Sequence, residues 1–431
     1  MEQPLERARR RPEPPTLQRW LVLVFVSLAM FGNYYVYDSI SPLADLLKRQ
    51  LGFSDAAIGT LNGIYSLPNV FMVLVGGLII DRIGTRRATF LFTVLCVAGA
   101  GLTAARGDFF WMAAGRLLFG LGAESMIVAV TTALAKWFKG KELSFAFGLN
   151  LTIARLGSFA ALNSPTWARA WYESWSGPLR LAFLVSLTSF VGAAVYWILE
   201  KQAERKYQLG EERTEERISW SEAFSFSRSY WFIVGLCATF YSAIFPFQTF
   251  AVKFFMEAHG VSREFGGFLS SLLTLFAMIC TPLFGLLADR VGKRSLLMML
   301  GSLLLTPVYL LMAYTQVPLL VPMSIMGIAF SLVPAVMWPS VAYVVGQERL
   351  GTAYGLMTMI QNIGLTLFNF LIGWANDVAG AGPDNPSGYA LGMWLFSILG
   401  WLGFLFAWGL RKAEARPGGH GLDSVRMGSA G

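Results

Sequence analysis

Histidine and cysteine are nearly absent from this chain of 431 residues, which holds two of the first, His259 and His420, and three of the second, Cys96, Cys237 and Cys280. Neither histidine has a Cys or a second His at ligand spacing, which removes zinc sites and histidine-dependent triads. The cysteines lie in apolar runs, where small core residues belong and a disulfide framework does not. Charge is scarce as well, at 14% of residues. Long polar stretches are also missing: beyond residue 18 the one extended polar connection is Glu200–Arg228, too short for a soluble module. The GKRS at 292–295 is not a phosphate loop, because Leu287 stands where that loop needs its first glycine. No enzyme chemistry, cofactor or metal is therefore expected.

What is present is apolar surface. Apolar residues make up 55% of the chain and the mean hydropathy is +0.54, values of a polytopic membrane protein. A net charge of +8 would suggest nucleic acid in a soluble chain, but here the basic residues cluster in short loops and report topology instead. No nucleic-acid partner is expected, and the lipid bilayer is the principal one. Twelve segments of the ~17–25 residues that a crossing needs fall at 19–41, 57–80, 88–106, 109–136, 143–166, 178–199, 229–255, 265–288, 295–315, 318–346, 351–377 and 388–411. The expected organisation is an all-α protein with two six-helix bundles, 19–199 and 229–411. They are joined by a cytoplasmic loop, 200–228, and flanked by cytoplasmic tails at 1–18 and 412–431. The first tail carries Arg7, Arg9, Arg10 and Arg11, lacks the apolar core of a signal peptide, and reads as disordered. Of 34 lysines and arginines, 25 fall on the side of both termini and seven on the other, which places the termini inside.

Two ionisable residues lie deep inside spans. At ~1.5 Å per residue, Glu124 is about 18 Å from Lys136 and Arg155 about 21 Å from Lys141, so both sit near the midplane. A charge there costs ~2.5–3.5 kcal/mol or more and needs a partner or a wet cavity. Two readings follow: Glu124 and Arg155 hold the ammonium and carboxylate of a small zwitterion, or they form a structural ion pair. Asp38, about 28 Å along its helix from Arg19, reads as an exposed or gating charge near the outer surface.

The halves repeat at an offset of about 207 residues: FGLLADRVGKRSLLM from Phe284 echoes GGLIIDRIGTRRATF from Gly76, and YGLMTMIQNIG from Tyr354 echoes FGLNLTIARLG from Phe147. Arg155 then falls on Asn362 and Glu124 on Ser331, so the midplane charges belong to the first half alone. Two related six-span halves are the architecture of alternating-access carriers, with the site between them. Aromatic and polar positions at that depth complete the candidate pocket: Tyr35, Tyr65, Asn150, Tyr241, Trp338, Gln361 and Asn362, with Tyr34 and Tyr37 beside the first of them.

The GGLIIDRIGTRR loop resembles the signature of the major facilitator superfamily between its second and third spans, and GRLLFGLGAE from Gly115 resembles its fourth-span motif. The loop implies gating roles for Asp81, Arg82, Arg86 and Arg87, and for Asp289 and Arg290 in the second copy. Arg116, on one face with Gly120 and Glu124, is expected to line the cavity and is placed with the gating residues. The fifth span lacks the glycine–proline signature of many antiporters. FGNYYVYD, YSLPNV, GRLLFGLGAES, WFKGKELSFAFGLNLTIARLGS, FPFQTFAVKFF, MWPSVAYVV and LGTAYGLMTMIQNIGL together resemble the branch containing the lysosomal dipeptide transporter of animals. That resemblance implies dipeptide transport with Glu124 and Arg155 as ligands, by uniport or with protons. The alternative is an organic-anion carrier in which Arg155 binds mono- or dicarboxylates and Glu124 carries the proton. A monomer is expected, and no accessory subunit can be named. No acidic dileucine signal is found, and the glycosylation triplet Asn150-Leu-Thr152 lies inside a span. A prokaryotic inner membrane is therefore expected over a lysosomal one.

Overall fold

The computed structural model describes residues 12–138, 142–207, 209, 225–346 and 349–424. The arginine-rich start of the N-terminal tail and most of the polar connection between the halves lie outside these residues. Among the described residues there is no strand, and, short turns of three to five residues aside, the helices are α1 (Thr16–Asp38), α2 (Ala44–Leu51), α3 (Asp55–Gly63), α4 (Ser66–Ala105), α5 (Phe109–Phe138), α6 (Leu143–Leu162), α7 (Ser176–Lys206), α8 (Arg228–His259), α9 (Arg263–Val291), α10 (Arg294–Tyr314), α11 (Leu320–Val344), α12 (Leu350–Val378) and α13 (Ala390–Glu414). Among the described residues eleven helical segments are long and apolar enough to cross a membrane, and α3 with the first part of α4 makes a further crossing. α4 leaves helical geometry at Gly84, with φ 78°. The Tyr65 carbonyl before it and Phe92 after it then lie against Gly120 and Gly122 of α5. Two arms flanking the same stretch of α5 require a reversal between them, so the crossings number twelve. Gly292, the repeat mate of Gly84, also takes positive φ, 67°. That backbone region excludes most side chains, which explains a glycine in both copies of the loop.

The second crossing is itself broken. Pro68 has no amide to give to the Ile64 carbonyl, and the helix is interrupted at 64–65 between α3 and α4. This break leaves Tyr65 on the bundle interior. The polar connection expected from Glu200 begins later, since α7 runs on to Lys206. As far as Ser424, the segment expected as a cytoplasmic C-terminal tail folds back on the bundle. Asp423 caps α10 through the Ser295 amide at 2.8 Å, and Leu422 is fully buried.

The core shows how the halves meet. One continuous apolar cluster runs through the second half and on into Ile40, Leu43, Leu47, Ile58 and Leu61 of the first. The first half keeps a separate cluster around Val22, Met126, Trp137 and Tyr196 at the end that carries the chain termini. The halves are thus fused at the end opposite the termini, the far end. Backbone contact is close there. A Cβ on Gly59 would meet the Asn369 carbonyl at 2.0 Å, and one on Gly267 the Leu162 carbonyl at 2.2 Å. Both contacts place a glycine of one half on the backbone of the other, and the repeat relates them to each other. At the termini end, Cβ positions on Gly148, Gly285 and Gly351 have nothing within 4 Å. The molecule is open at the termini end and shut at the far end. Gly59→Val and Gly267→Val are therefore expected to force the far end open. Labelling of Tyr37→Cys by an impermeant thiol reagent added from the far side should rise in both variants.

Candidate substrate site

The site is built where α1, α4, α5 and α6 of the first half face α8 and α11 of the second. Glu124 on α5 and Arg155 on α6 are both half-buried. The Tyr65 hydroxyl donates to Glu124 Oε1 at 3.3 Å. An arc of rings leads away from that contact: Tyr65 to Tyr37 at 4.9 Å between centroids, Tyr37 to Phe245 at 6.3 Å, and Phe245 to Phe330 at 5.8 Å. The arc ends on Arg155, whose guanidinium carbon lies 5.6 Å from the Phe330 ring and 5.7 Å from the Tyr34 ring. Among the described residues Arg155 makes no hydrogen bond and no ion pair within 4.0 Å. Its planar fork of donors is held by ring faces alone. Glu124 and Arg155 do not pair with each other, so the structural ion pair offered by the sequence is not formed in this state.

The second half contributes aromatic surface to this space. Trp338 Nε1 donates to the Tyr241 hydroxyl at 3.0 Å, Tyr241 stacks on Phe245 at 5.5 Å, and Tyr354 stacks under Trp338 at 6.0 Å. Gln361 is half-buried and accepts from the Cys237 thiol at 3.4 Å.

Other candidates are occupied elsewhere. Tyr35 is buried and packs toward Trp167 at 6.3 Å; its neighbours Tyr34 and Tyr37, half-buried on the inward stripe of α1, face the site in its place. Asn150 accepts from Ser27 at 3.0 Å and ties α6 to α1. Asn362 is buried and bonded to the Thr358 carbonyl of its own helix at 3.0 Å, so the repeat mate of Arg155 does not serve as its counterpart. Arg116 does not line the cavity. It is 1% exposed and donates to the carbonyls of Leu61 at 3.2 Å and Val36 at 3.1 Å and to Asn62 Oδ1 at 2.7 Å. These bonds tie the far ends of α1, α3 and α5 together. Asp38 is buried, at 8% exposure, and is not the exposed charge that its position along α1 suggested. The bend after α1 folds the chain back over it.

The loop residues lie at the termini end. Asp289 pairs with Arg294 at 3.0 Å and Arg86 with Glu204 at 2.6 Å, while Asp81, Arg82, Arg87 and Arg290 are at least partly solvent-facing. The sequence reading missed a second charged group that closes the far end. Lys253 and Asp55, both fully buried, pair across the halves at 2.8 Å. Lys48 joins Asp55 at 3.1 Å, Arg263 binds Asp45 at 2.6 Å, and the Asp377 carboxylate caps α3 through the amides of Asp55 and Ala56 at 2.8 and 2.7 Å. Lys48, Lys253 and Arg263 are three of the seven basic residues that the charge count assigns to the far side. Opposite charges at the far ends of spans from different halves were the available signal.

A family model described as Major Facilitator Superfamily matches residues 26–254 and 244–425. The chain belongs to the major facilitator superfamily. Within this superfamily it is 35% identical over 377 residues to the lysosomal dipeptide transporter MFSD1 of Danio rerio, covering 84% of this chain and 82% of that protein. It is 33% identical over 375 residues to the Homo sapiens protein of the same name, with 84% and 81% covered. The hexuronate transporter of Escherichia coli K12 is 24% identical over 390 residues, covering 85% and 89%. A solved bacterial homologue of the human lysosomal transporter Spinster, in an inward-facing and unoccupied conformation, superposes with a TM-score of 0.76 at 19% identity, covering 94% of this chain and 100% of that one. That likeness supports the superfamily fold, which this twelve-span membrane protein shares.

Proposed function

We propose that this superfamily member is an alternating-access carrier of dipeptides, with Glu124 binding the substrate ammonium and Arg155 its carboxylate. The observation that carries this reading is the Arg155 guanidinium, clamped between Tyr34 and Phe330 with no acceptor among the described residues, at the depth where Glu124 offers a carboxylate. An extended dipeptide spans about 7 Å at the chain's per-residue reach, and a carboxylate meets a guanidinium fork with two parallel bonds. The aromatic arc between the charges gives the peptide unit and side chains an apolar bed. With the termini end taken as cytoplasmic, the structure opens to the cytoplasm. The buried bond of Asn150 to Ser27 leaves the glycosylation triplet unusable and agrees with a prokaryotic inner membrane. In this reading the carrier works as a monomer and without a bound cofactor.

A second reading is supported by the similarity to the hexuronate transporter: Arg155 binds an organic anion, and Glu124 carries a proton. Thermal stabilisation of the purified protein separates the two, because a ligand of the folded state raises the melting temperature by mass action. Dipeptides are expected to stabilise, and single dicarboxylates or a hexuronate to do so far less. Stabilisation by the carboxylates alone overturns the peptide reading.

A further inference from the structure

Asp38 is the one buried carboxylate near the site that the proposed clamp leaves without a role. The carbonyl of Phe31 lies against Gly157 of α6 and the Tyr34 ring lies 5.7 Å from the Arg155 guanidinium carbon, so the stripe of α1 that carries Phe31, Tyr34 and, one turn on, Asp38 faces α6. Arg116 is already committed to the Leu61 and Val36 carbonyls and to Asn62. Arg155 is committed to nothing but ring faces. Tyr37, the residue before Asp38, packs on Tyr65 at 4.9 Å between centroids, and Tyr65 in turn meets Glu124. Among the described residues Asp38 forms no ion pair within 4.0 Å. Glu124, by contrast, has the Tyr65 hydroxyl.

A carrier must also reorient empty if it is to give net flux. When the halves close on the unloaded site, water is excluded and a guanidinium without a counter-ion becomes costly. In the loaded carrier the substrate carboxylate supplies that counter-ion. In the empty one the group placed to do so is Asp38, on the stripe of α1 that faces α6 and one turn beyond the Tyr34 ring that covers Arg155. We propose that Asp38 is the internal stand-in for the substrate carboxylate, pairing with Arg155 during reorientation of the empty carrier and giving way to substrate when the site is loaded. Asp38 is thus a positioning residue, and this role rests on the reading of Arg155 as the carboxylate ligand.

Two flux modes in proteoliposomes separate this role from a merely structural one. Counterflow, with labelled dipeptide entering against unlabelled dipeptide inside, needs loaded carrier alone. Uptake into vesicles without internal dipeptide needs the empty carrier to return. Asp38→Asn is expected to keep counterflow within about threefold and to lower net uptake at least about tenfold, because only the empty-state equilibrium loses its stabilising pair. Asp38→Glu, which keeps the charge, is expected to recover most of the net flux. If Asp38→Asn cannot be purified, Asp38→Glu must show a milder split of the same sign. Equal loss in both modes, or no loss in either, overturns the proposal. A wild-type protein that carries no dipeptide in either mode instead overturns the peptide reading. The same two assays with a hexuronate then decide Asp38, since its carboxylate would use the same guanidinium.

Discussion

Replacing Arg155 by alanine is expected to abolish measurable dipeptide binding while leaving the protein folded. Truncating one partner of a buried, hydrogen-bonded charge pair costs ~2–5 kcal/mol, so affinity should fall at least about 30-fold. The fold should survive because Arg155 makes no hydrogen bond or ion pair among the described residues, and its loss removes only the ring contacts to Tyr34 and Phe330. Arg155→Lys should recover little, since an ammonium cannot reproduce the planar fork. Glu124→Gln should give a loss of similar size for dipeptides and none for N-acetylated dipeptides, which lack the ammonium. Thermal shift and radioligand competition on the same preparations measure both. Retention of dipeptide affinity by Arg155→Ala would contradict the account.

The second large effect lies at the far end. Lys253→Met strips the fully buried Asp55 of its 2.8 Å partner across the halves, leaving only the half-exposed Lys48 side. Breaking a buried pair by removing one member costs ~3–5 kcal/mol. The lost pair exists only while the far end is shut. The equilibrium should therefore move by about two decades or more toward the state open at the far end. Spectroscopic distances between labels on α2 and α12 report the populations. The double variant Asp55→Asn/Lys253→Met removes both charges together, and its shift should be smaller than that of Lys253→Met alone. A double variant shifted as far as the single would mean that these residues pack the far end but do not latch it.

The fold and the midplane charges were legible in the sequence, and the far-end latch was not. The spans appear as apolar runs of crossing length, and the paired loops as two copies of a motif whose glycines both need positive φ. Glu124 and Arg155 stood out because a charge at that depth has few explanations. The latch escaped because Asp55 and Lys253 are nearly two hundred residues apart and lie near helix ends, where charge is ordinary. Arg116 misled through its spacing. Its i, i+4, i+8 relation to Gly120 and Glu124 is real, but the bend after α1 and the break before Pro68 bring carbonyls to it, and they bury it. Tyr35 and Asn362 failed for a rotational reason. One residue on a helix is ~100° of azimuth, so Tyr34 and Tyr37 take the inward stripe of α1, and half-buried Gln361 stands beside buried Asn362.

The most direct test of the zwitterion clamp is counterflow of three ligands that differ only at their ends: a free dipeptide, its N-acetyl form and its C-terminal amide. The account predicts that only the free dipeptide is carried, with each blocked form reduced at least about 30-fold, the scale of one lost charged contact. Transport of the N-acetyl form at the rate of the free dipeptide would contradict the assignment of Glu124. The carrier would then belong with the organic-anion transporters.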